Sequence, residues 1–146
     1  MQGLLRMLDP ENAVVRLCMR ANEAELAGEP EEARTLLKEA WELASTHLEH
    51  AVAAHQIAHI QPNPQASHHW NREAIDAARL AAPEEVHSIF PSLLLAFAES
   101  LERVGSLDRA ASTYREAIEA ARGMREEEGY RRAAEEGIAR VGGSAG

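Results

Sequence analysis

The chain has 146 residues, and 45% of them are hydrophobic although only 4% are aromatic, so its core must be built from Ala, Leu, Ile and Val. The length fits a single domain, which we place at residues 1–141. The formal net charge of −9 would repel a phosphate backbone and an anionic bilayer. Nucleic acid and membrane are therefore excluded as expected partners.

Cysteine content and the N-terminal residues predict a cytoplasmic location. Cys18 is the single cysteine, so no internal disulfide can form, which is typical of a reducing compartment. The N-terminus lacks the charged segment and long apolar run of a signal peptide. No apolar stretch approaches the roughly 18 residues that span a bilayer. The high content of Ala, Glu and Arg favours a bacterial source.

Helix start and stop signals predict a helical hairpin in the N-terminal third. Asp9–Glu11 supplies an N-cap, a first helical proline and a first-turn acid, which predicts a helix over about 10–27 that ends at Gly28. Pro30 opens a second helix, and the short turn makes the two helices antiparallel. The apolar stripe of that second helix consists of Ala33, Leu37, Ala40, Trp41 and Ala44.

A second hairpin and an interruption follow. Ser45–Thr46 can cap a helix over about 47–60, and Pro62–Pro64 breaks the chain before a helix that ends near residue 80. Residues 82–85 interrupt the pattern and should form an extra helical turn or a loop.

A third hairpin and one further helix complete the chain. Gly105–Ser106 makes the turn of the third hairpin. A last helix over about 130–141 carries apolar residues on one side and charged residues on the other, as expected of a helix that caps an array. We expect residues 142–146 to form a flexible tail.

A four-residue motif recurs once in each hairpin. Each copy is a basic residue, Glu, Ala and a large apolar residue: Lys38–Trp41, Arg72–Ile75 and Arg115–Ile118. The copies lie 34 and then 43 residues apart, and the interruption at 82–85 accounts for the longer second spacing. Small residues keep both spacings: Ala33, Ser67 and Ala110, and Ala44, Ala78 and Ala121. Self-similarity at such a period indicates a repeat architecture.

This helix–turn–helix unit resembles the tetratricopeptide repeat. The third unit matches best, with a turn glycine, two packing alanines and a core aromatic: Gly105, Ala110, Ala117 and Tyr114. The second unit departs, because Pro62, Ser67 and Asn71 replace the glycine, the first alanine and the aromatic. The resemblance implies an all-α, right-handed α-solenoid of about three antiparallel hairpins (units of about 14–47, 48–90 and 91–122) with a C-terminal capping helix.

The resemblance also implies a function. Proteins of this kind bind a protein or peptide in the concave groove lined by the first helix of each unit, without catalysis. Counting along those helices and the capping helix gives the expected groove residues: Met19, Asn22, Leu26, Val52, Gln56, His59, Ile60, Leu95, Glu99, Arg103 and Arg132. We therefore predict a scaffold that binds a protein or peptide.

Motifs of the common enzyme classes are missing from the sequence. It contains no Gly-rich phosphate loop, no G-x-S-x-G elbow and no evident carboxylate pair. Cys18 has no histidine predicted beside it, so we interpret it as a packing or groove-lining thiol. We predict that the protein is not an enzyme and uses no cofactor.

The second unit is unusually polar where the pattern asks for small or aromatic residues. His55 and Asn71 should point between the paired helices, and a buried polar group needs a partner. One interpretation is a His55–Asn71 hydrogen bond, joined by Ser67. The alternative is a pocket for a small ligand or peptide end, because broken packing rules often mark functional sites. Its walls would be His55, His59, Gln61, Trp70 and Asn71.

A metal site is a further alternative for the histidines. His55 and His59 have the i, i+4 spacing of the helical part of a zinc site. The Glu that follows the first histidine in metalloproteases is absent, and no third ligand is evident. We predict no metal and keep His55 and His59 as the alternative.

Self-association is the remaining alternative. Leu4, Leu5, Met7 and Leu8 form an apolar cluster ahead of the first predicted helix, with no partner in the pattern. They could cap the array or seal a homodimer, which would make the protein a homo-oligomeric structural protein.

Overall fold

The computed structural model describes residues 2–142, so most of the predicted tail, residues 143–146, lies outside the described range. Within that range the chain is all-helical and contains no strand. The helices are α1 (Gln2–Arg6), α2 (Ala13–Leu26), α3 (Pro30–Leu43), α4 (His47–His59), α5 (Pro64–Leu80), α6 (Pro83–Val86), α7 (Phe90–Arg103), α8 (Leu107–Ala120) and α9 (Glu127–Arg140). None of them is long and apolar enough to cross a bilayer.

The first long helix begins three residues later than predicted. Asp9 does not cap it, because its carboxylate accepts from the backbone N–H of Glu11 and closes a local turn. The side chain of Asn12 accepts from the N–H groups of Val14 and Val15 instead, at 2.8 and 3.1 Å. Asn12 is therefore the N-cap of α2.

Turns of the same type, each with a glycine, end α2 and α7. Gly28 and Gly105 have φ of 78° and 86°, which is accessible to glycine at little cost. Beyond each glycine, a backbone N–H reaches back into the helix: Glu29 donates to Ala24 at 2.8 Å, and Ser106 to Leu101 at 2.9 Å. These are Schellman turns, and they lead directly into α3 and α8.

Helices that follow one another pack in pairs. α2 lies against α3, α4 against α5, and α7 against α8, while α5 contacts α7 and α9 packs on α8. A single cluster of buried apolar side chains extends from Leu4 and Leu5 to Ala134. The predicted interruption forms the short helix α6, which buries Val86.

The last helix is fixed by a tyrosine. The ring of Tyr114 lies against the backbone at Gly137, where a Cβ atom would overlap it. The Tyr114 hydroxyl donates to Glu102 at 2.8 Å, and Arg140 donates to the same carboxylate at 3.0 Å. One residue each from α7, α8 and α9 thus closes this network, which holds α9 in place.

The N-terminal apolar cluster has a partner within the chain. Leu4 and Leu5 are each only 2% exposed, and α1 packs against α2. Met7 and Leu8 are partly buried against the same core. These leucines therefore do not need a second copy of the protein to cover them.

Candidate functional site

A cavity of about 360 Å³ lies between the α4–α5 turn and α7. It is the place where the second unit departs from its neighbours in sequence. The residues that line it come from the end of α4, the turn, the start of α5 and one face of α7: Ala58, His59, Gln61, Pro62, Asn63, Pro64, Ser67, Asn71, Ala96, Glu99 and Arg103.

The turn at this cavity is built differently from the two glycine turns. Pro62 stands in place of a turn glycine, and Pro64 begins α5. The Gln61 side chain donates to the carbonyl of Ile57 at 3.1 Å, and Asn63 accepts from the N–H of Ala66 at 2.8 Å. These side chains cap the two helix ends, and they hold the wider turn that forms one wall of the cavity.

The deep wall of the cavity carries two neutral polar side chains, those of Asn71 and Ser67. Asn71 is 6% exposed and Ser67 is 9% exposed, and both line the cavity. Their polar atoms are not among the fully buried side-chain atoms that lack a hydrogen-bond partner, which belong to His55 and Gln56. As lining residues, Asn71 and Ser67 therefore offer a donor and an acceptor each to water or to a ligand in the cavity.

The rim carries opposite charges and a neutral histidine. Glu99 and Arg103 lie on α7 and line the cavity opening. His59 ends α4 at an exposed position, and partial desolvation lowers the pKa of its imidazole, so the neutral form predominates at pH 7. The site therefore offers one carboxylate, one guanidinium and several neutral hydrogen-bonding groups.

The cavity unites two sets of residues that were predicted separately. His59, Glu99 and Arg103 were expected in the groove, and Gln61 and Asn71 in the polar pocket. Trp70 does not join them, because its ring packs edge-on against Trp41 with centroids 5.1 Å apart. The other lining residues were in neither predicted set, although the proline-rich break was visible in the sequence: Ala58, Pro62, Asn63, Pro64, Ser67 and Ala96.

His55 lies in the interior and not in the cavity. Its side chain is 0% exposed, and both ring nitrogens lack a hydrogen-bond partner among the described residues. The predicted bond to Asn71 is wrong, because neither nitrogen of the ring has a hydrogen-bond partner among the described residues. Burial lowers the pKa of His55 to about 3, so the ring is neutral.

Two expected groove residues are also buried. Val52 is 1% exposed and Gln56 is 3% exposed, so neither offers surface to a peptide. Their prediction assumed an open helix face, but Val52 belongs to the cluster that also contains Leu4 and Leu5 of α1.

The other expected groove residues do not line this cavity. Met19, Asn22, Ile60 and Leu95 are partly exposed, and Leu26 and Arg132 are exposed. Met19 lines a separate surface depression with Pro10 and Leu17. The structure thus divides the predicted groove into a cavity at α7 and scattered surface positions elsewhere.

The chemistry of the remaining candidates is limited. Burial raises the pKa of the Cys18 thiol to about 12, so a thiolate is not available at neutral pH. The rings of His55 and His59 lie edge to face, with centroids 4.9 Å apart. Across the described residues, no cluster of three or more His, Cys, Asp or Glu side chains could hold a metal ion.

Comparison with protein-family models finds no match, and comparisons with curated proteins and with solved structures find none either. The residues that form the site are therefore the basis for its proposed function.

Proposed function

We propose that the protein is a non-catalytic binding module of tetratricopeptide-like design. Three consecutive helix pairs, the recurring motif and the matching Schellman turns at Gly28 and Gly105 support a right-handed solenoid of three hairpins with α9 as its cap. In such an array the first helices of the units, α2, α4 and α7, line one face. The cavity between the α4–α5 turn and α7 then lies at the edge of that face.

The ligand that we propose for this face is a protein segment or peptide. The observation that carries this proposal is the cavity lining, where the neutral polar side chains of Asn71 and Ser67 lie beside the charged rim. A peptide offers backbone donors and acceptors that would satisfy such groups, and the partly exposed Leu95 and Ile60 provide apolar contact area nearby. The net negative charge disfavours nucleic acid as the partner. The single cysteine, which is buried, favours a protein partner in the cytoplasm.

A structural role through self-association has less support. That hypothesis rested on the N-terminal leucines, and Leu4 and Leu5 are buried within one chain. The metal hypothesis has no third ligand near His55 and His59 in the described part of the protein. The polar cavity is therefore the feature that best supports ligand binding.

Selection from a displayed library of short random peptides tests the proposal. Peptides that bind the wild type are then measured against Asn71→Leu and Arg103→Glu, which change the wall and the rim of the cavity. We expect each variant to weaken binding by about tenfold or more, since each removes a contact worth about 1.4 kcal/mol. The matched control is Arg115→Glu, a charge reversal at an exposed position of α8. Selection that yields no peptide, or equal affinities for all variants, would contradict the proposal.

A further inference from the structure

The two charges at the cavity opening stay apart although their spacing favours a pair. Glu99 and Arg103 lie four residues apart on α7, with the acid on the N-terminal side, which is the favourable order in a helix. Neither forms an ion pair in the described part of the chain, whereas Glu127 and Arg131, at the same spacing in α9, do so at 3.7 Å. A carboxylate and a guanidinium are thus both available to a ligand.

Two helix ends add charge of both signs to the same cavity. The C-terminus of α4 at His59 carries partial negative charge, and the N-terminus of the 17-residue helix α5 at Pro64 carries partial positive charge. His59 adds no charge of its own, because burial lowers its pKa. The cavity is therefore close to neutral overall but strongly dipolar.

The deep wall, in contrast, is neutral. Asn71 and Ser67 are both at least nine-tenths buried and can each donate and accept hydrogen bonds. They line the cavity and can present these groups to a ligand inside it. A complementary group would be uncharged and would itself donate and accept.

We propose that the cavity is a binding site for a free α-amino acid with a neutral polar side chain. The ammonium group would pair with Glu99, the carboxylate with Arg103, and the side chain would hydrogen-bond to Asn71 and Ser67. A volume of about 360 Å³ lies in the range of small-molecule sites. This site goes beyond the proposed peptide binding and does not depend on it, since a free amino acid needs only the cavity.

Calorimetric titration of the full chain tests the charge arrangement directly. Serine, asparagine and glutamine serve as probes, each compared with its N-acetyl derivative, which lacks the ammonium charge, and its methyl ester, which lacks the carboxylate. We expect at least one free amino acid to bind, and both of its derivatives to bind about tenfold more weakly or worse. If none of the three binds, or if the derivatives bind equally well, the proposal is overturned.

Two conservative variants assign the charges to their partners. Glu99→Gln should abolish the preference for the free amino acid over its N-acetyl derivative. Arg103→Gln should abolish the preference for the free amino acid over its methyl ester. Arg115→Gln, on the exposed face of α8, should leave both preferences intact. Preferences that survive Glu99→Gln and Arg103→Gln would overturn the proposal. Because the probes are free amino acids, this test can fail while the selected peptides still bind, and the reverse also holds.

Discussion

His55 is the residue at which the second unit differs most from its neighbours. Counting by the repeat spacings, Ala21 and Ala98 occupy the equivalent positions, and both are buried alanines. An imidazole with two unpaired nitrogens replaces a methyl group there. Enclosing those nitrogens lowers the free energy of unfolding, because no described residue forms a hydrogen bond to them.

Replacing this histidine by an apolar side chain of similar length should stabilise the protein. We expect His55→Met to raise the free energy of unfolding by about 1 kcal/mol or more, because it removes two buried unpaired nitrogens while keeping most of the volume. Urea denaturation at pH 7 measures the change. Gln56→Met is the matched comparison, since the Gln56 amide nitrogen is also buried without a partner. Lower stability in His55→Met would mean that the ring nitrogens have a partner.

The same histidine makes the fold sensitive to acid. Its folded pKa is about 3 against an ordinary value of 6.5, so the unfolded state binds the proton first as the pH falls. Above pH 6.5 the His55 ring is neutral in both the folded and the unfolded state. Between pH 6.5 and about 3 only the unfolded state binds the proton, so the free energy of unfolding falls progressively over this range. We expect a loss of about 2 kcal/mol between pH 7 and pH 5 from His55 alone.

Denaturant titrations at several pH values check this prediction. His59 and His68, whose pKa values burial also lowers, should add to the loss. His55→Met should show a shallower decline of stability with acid than the wild type. Parallel curves for the two proteins would contradict the buried, neutral state of His55.

At the level of elements, the turns decide where a cavity can form. The glycine turns at Gly28 and Gly105 close tightly, but the α4–α5 turn uses Gln61 and Asn63 as caps and leaves space beside α7. Ser67 and Asn71 of the second unit correspond to Ala33 and Leu37 in the first unit. In the third unit the same positions are Ala110 and Tyr114. The residue pattern and the turn of the second unit therefore differ from those of the other two units at the same place.

The contact between α8 and α9 gives a sharp test of element packing. A Cβ at Gly137 would overlap the Tyr114 ring, which is 1% exposed, so Gly137→Ala should lower the free energy of unfolding by about 1–3 kcal/mol. Gly129, in the same helix, faces open space, and Gly129→Ala should be neutral or stabilising by up to about 1 kcal/mol. Thermal and urea unfolding of both variants measure the difference. Equal effects would show that Tyr114 does not hold α9 in place.

Over the whole molecule, the N-terminal helix packs into the core of its own chain. We expect Leu4→Asp with Leu5→Asp to reduce stability by several kcal/mol, because two buried leucines become charged. Leu26→Asp, at an exposed leucine, is the control and should have little effect. Light scattering should give a monomer mass for the wild type. A dimer that dissociates in the double variant without loss of stability would restore the structural hypothesis.

Much of this architecture follows from local sequence signals, and some of it cannot. Capping residues and proline breaks predicted the long helices to within a few residues. Helical register placed His59, Glu99 and Arg103 on one expected groove, whereas Asn71 was expected in a separate polar pocket. The start of α2 was misplaced because Asp9 and Asn12 are both good caps, and only the competing turn at Glu11 separates them. The burial of Val52 and Gln56 depends on what packs over them, which no local pattern encodes.

Backbone chemical-shift mapping of the isotope-labelled full chain, with a selected peptide added, tests most directly whether the cavity is the binding site. We predict that the largest shifts fall on residues of the cavity, including Ser67, Asn71, Glu99 and Arg103, and that residues of α3 and α9 change little. Shifts that centre on another surface, or that leave the cavity residues unchanged at saturation, would contradict the assignment of this cavity as the site where the protein binds its ligand.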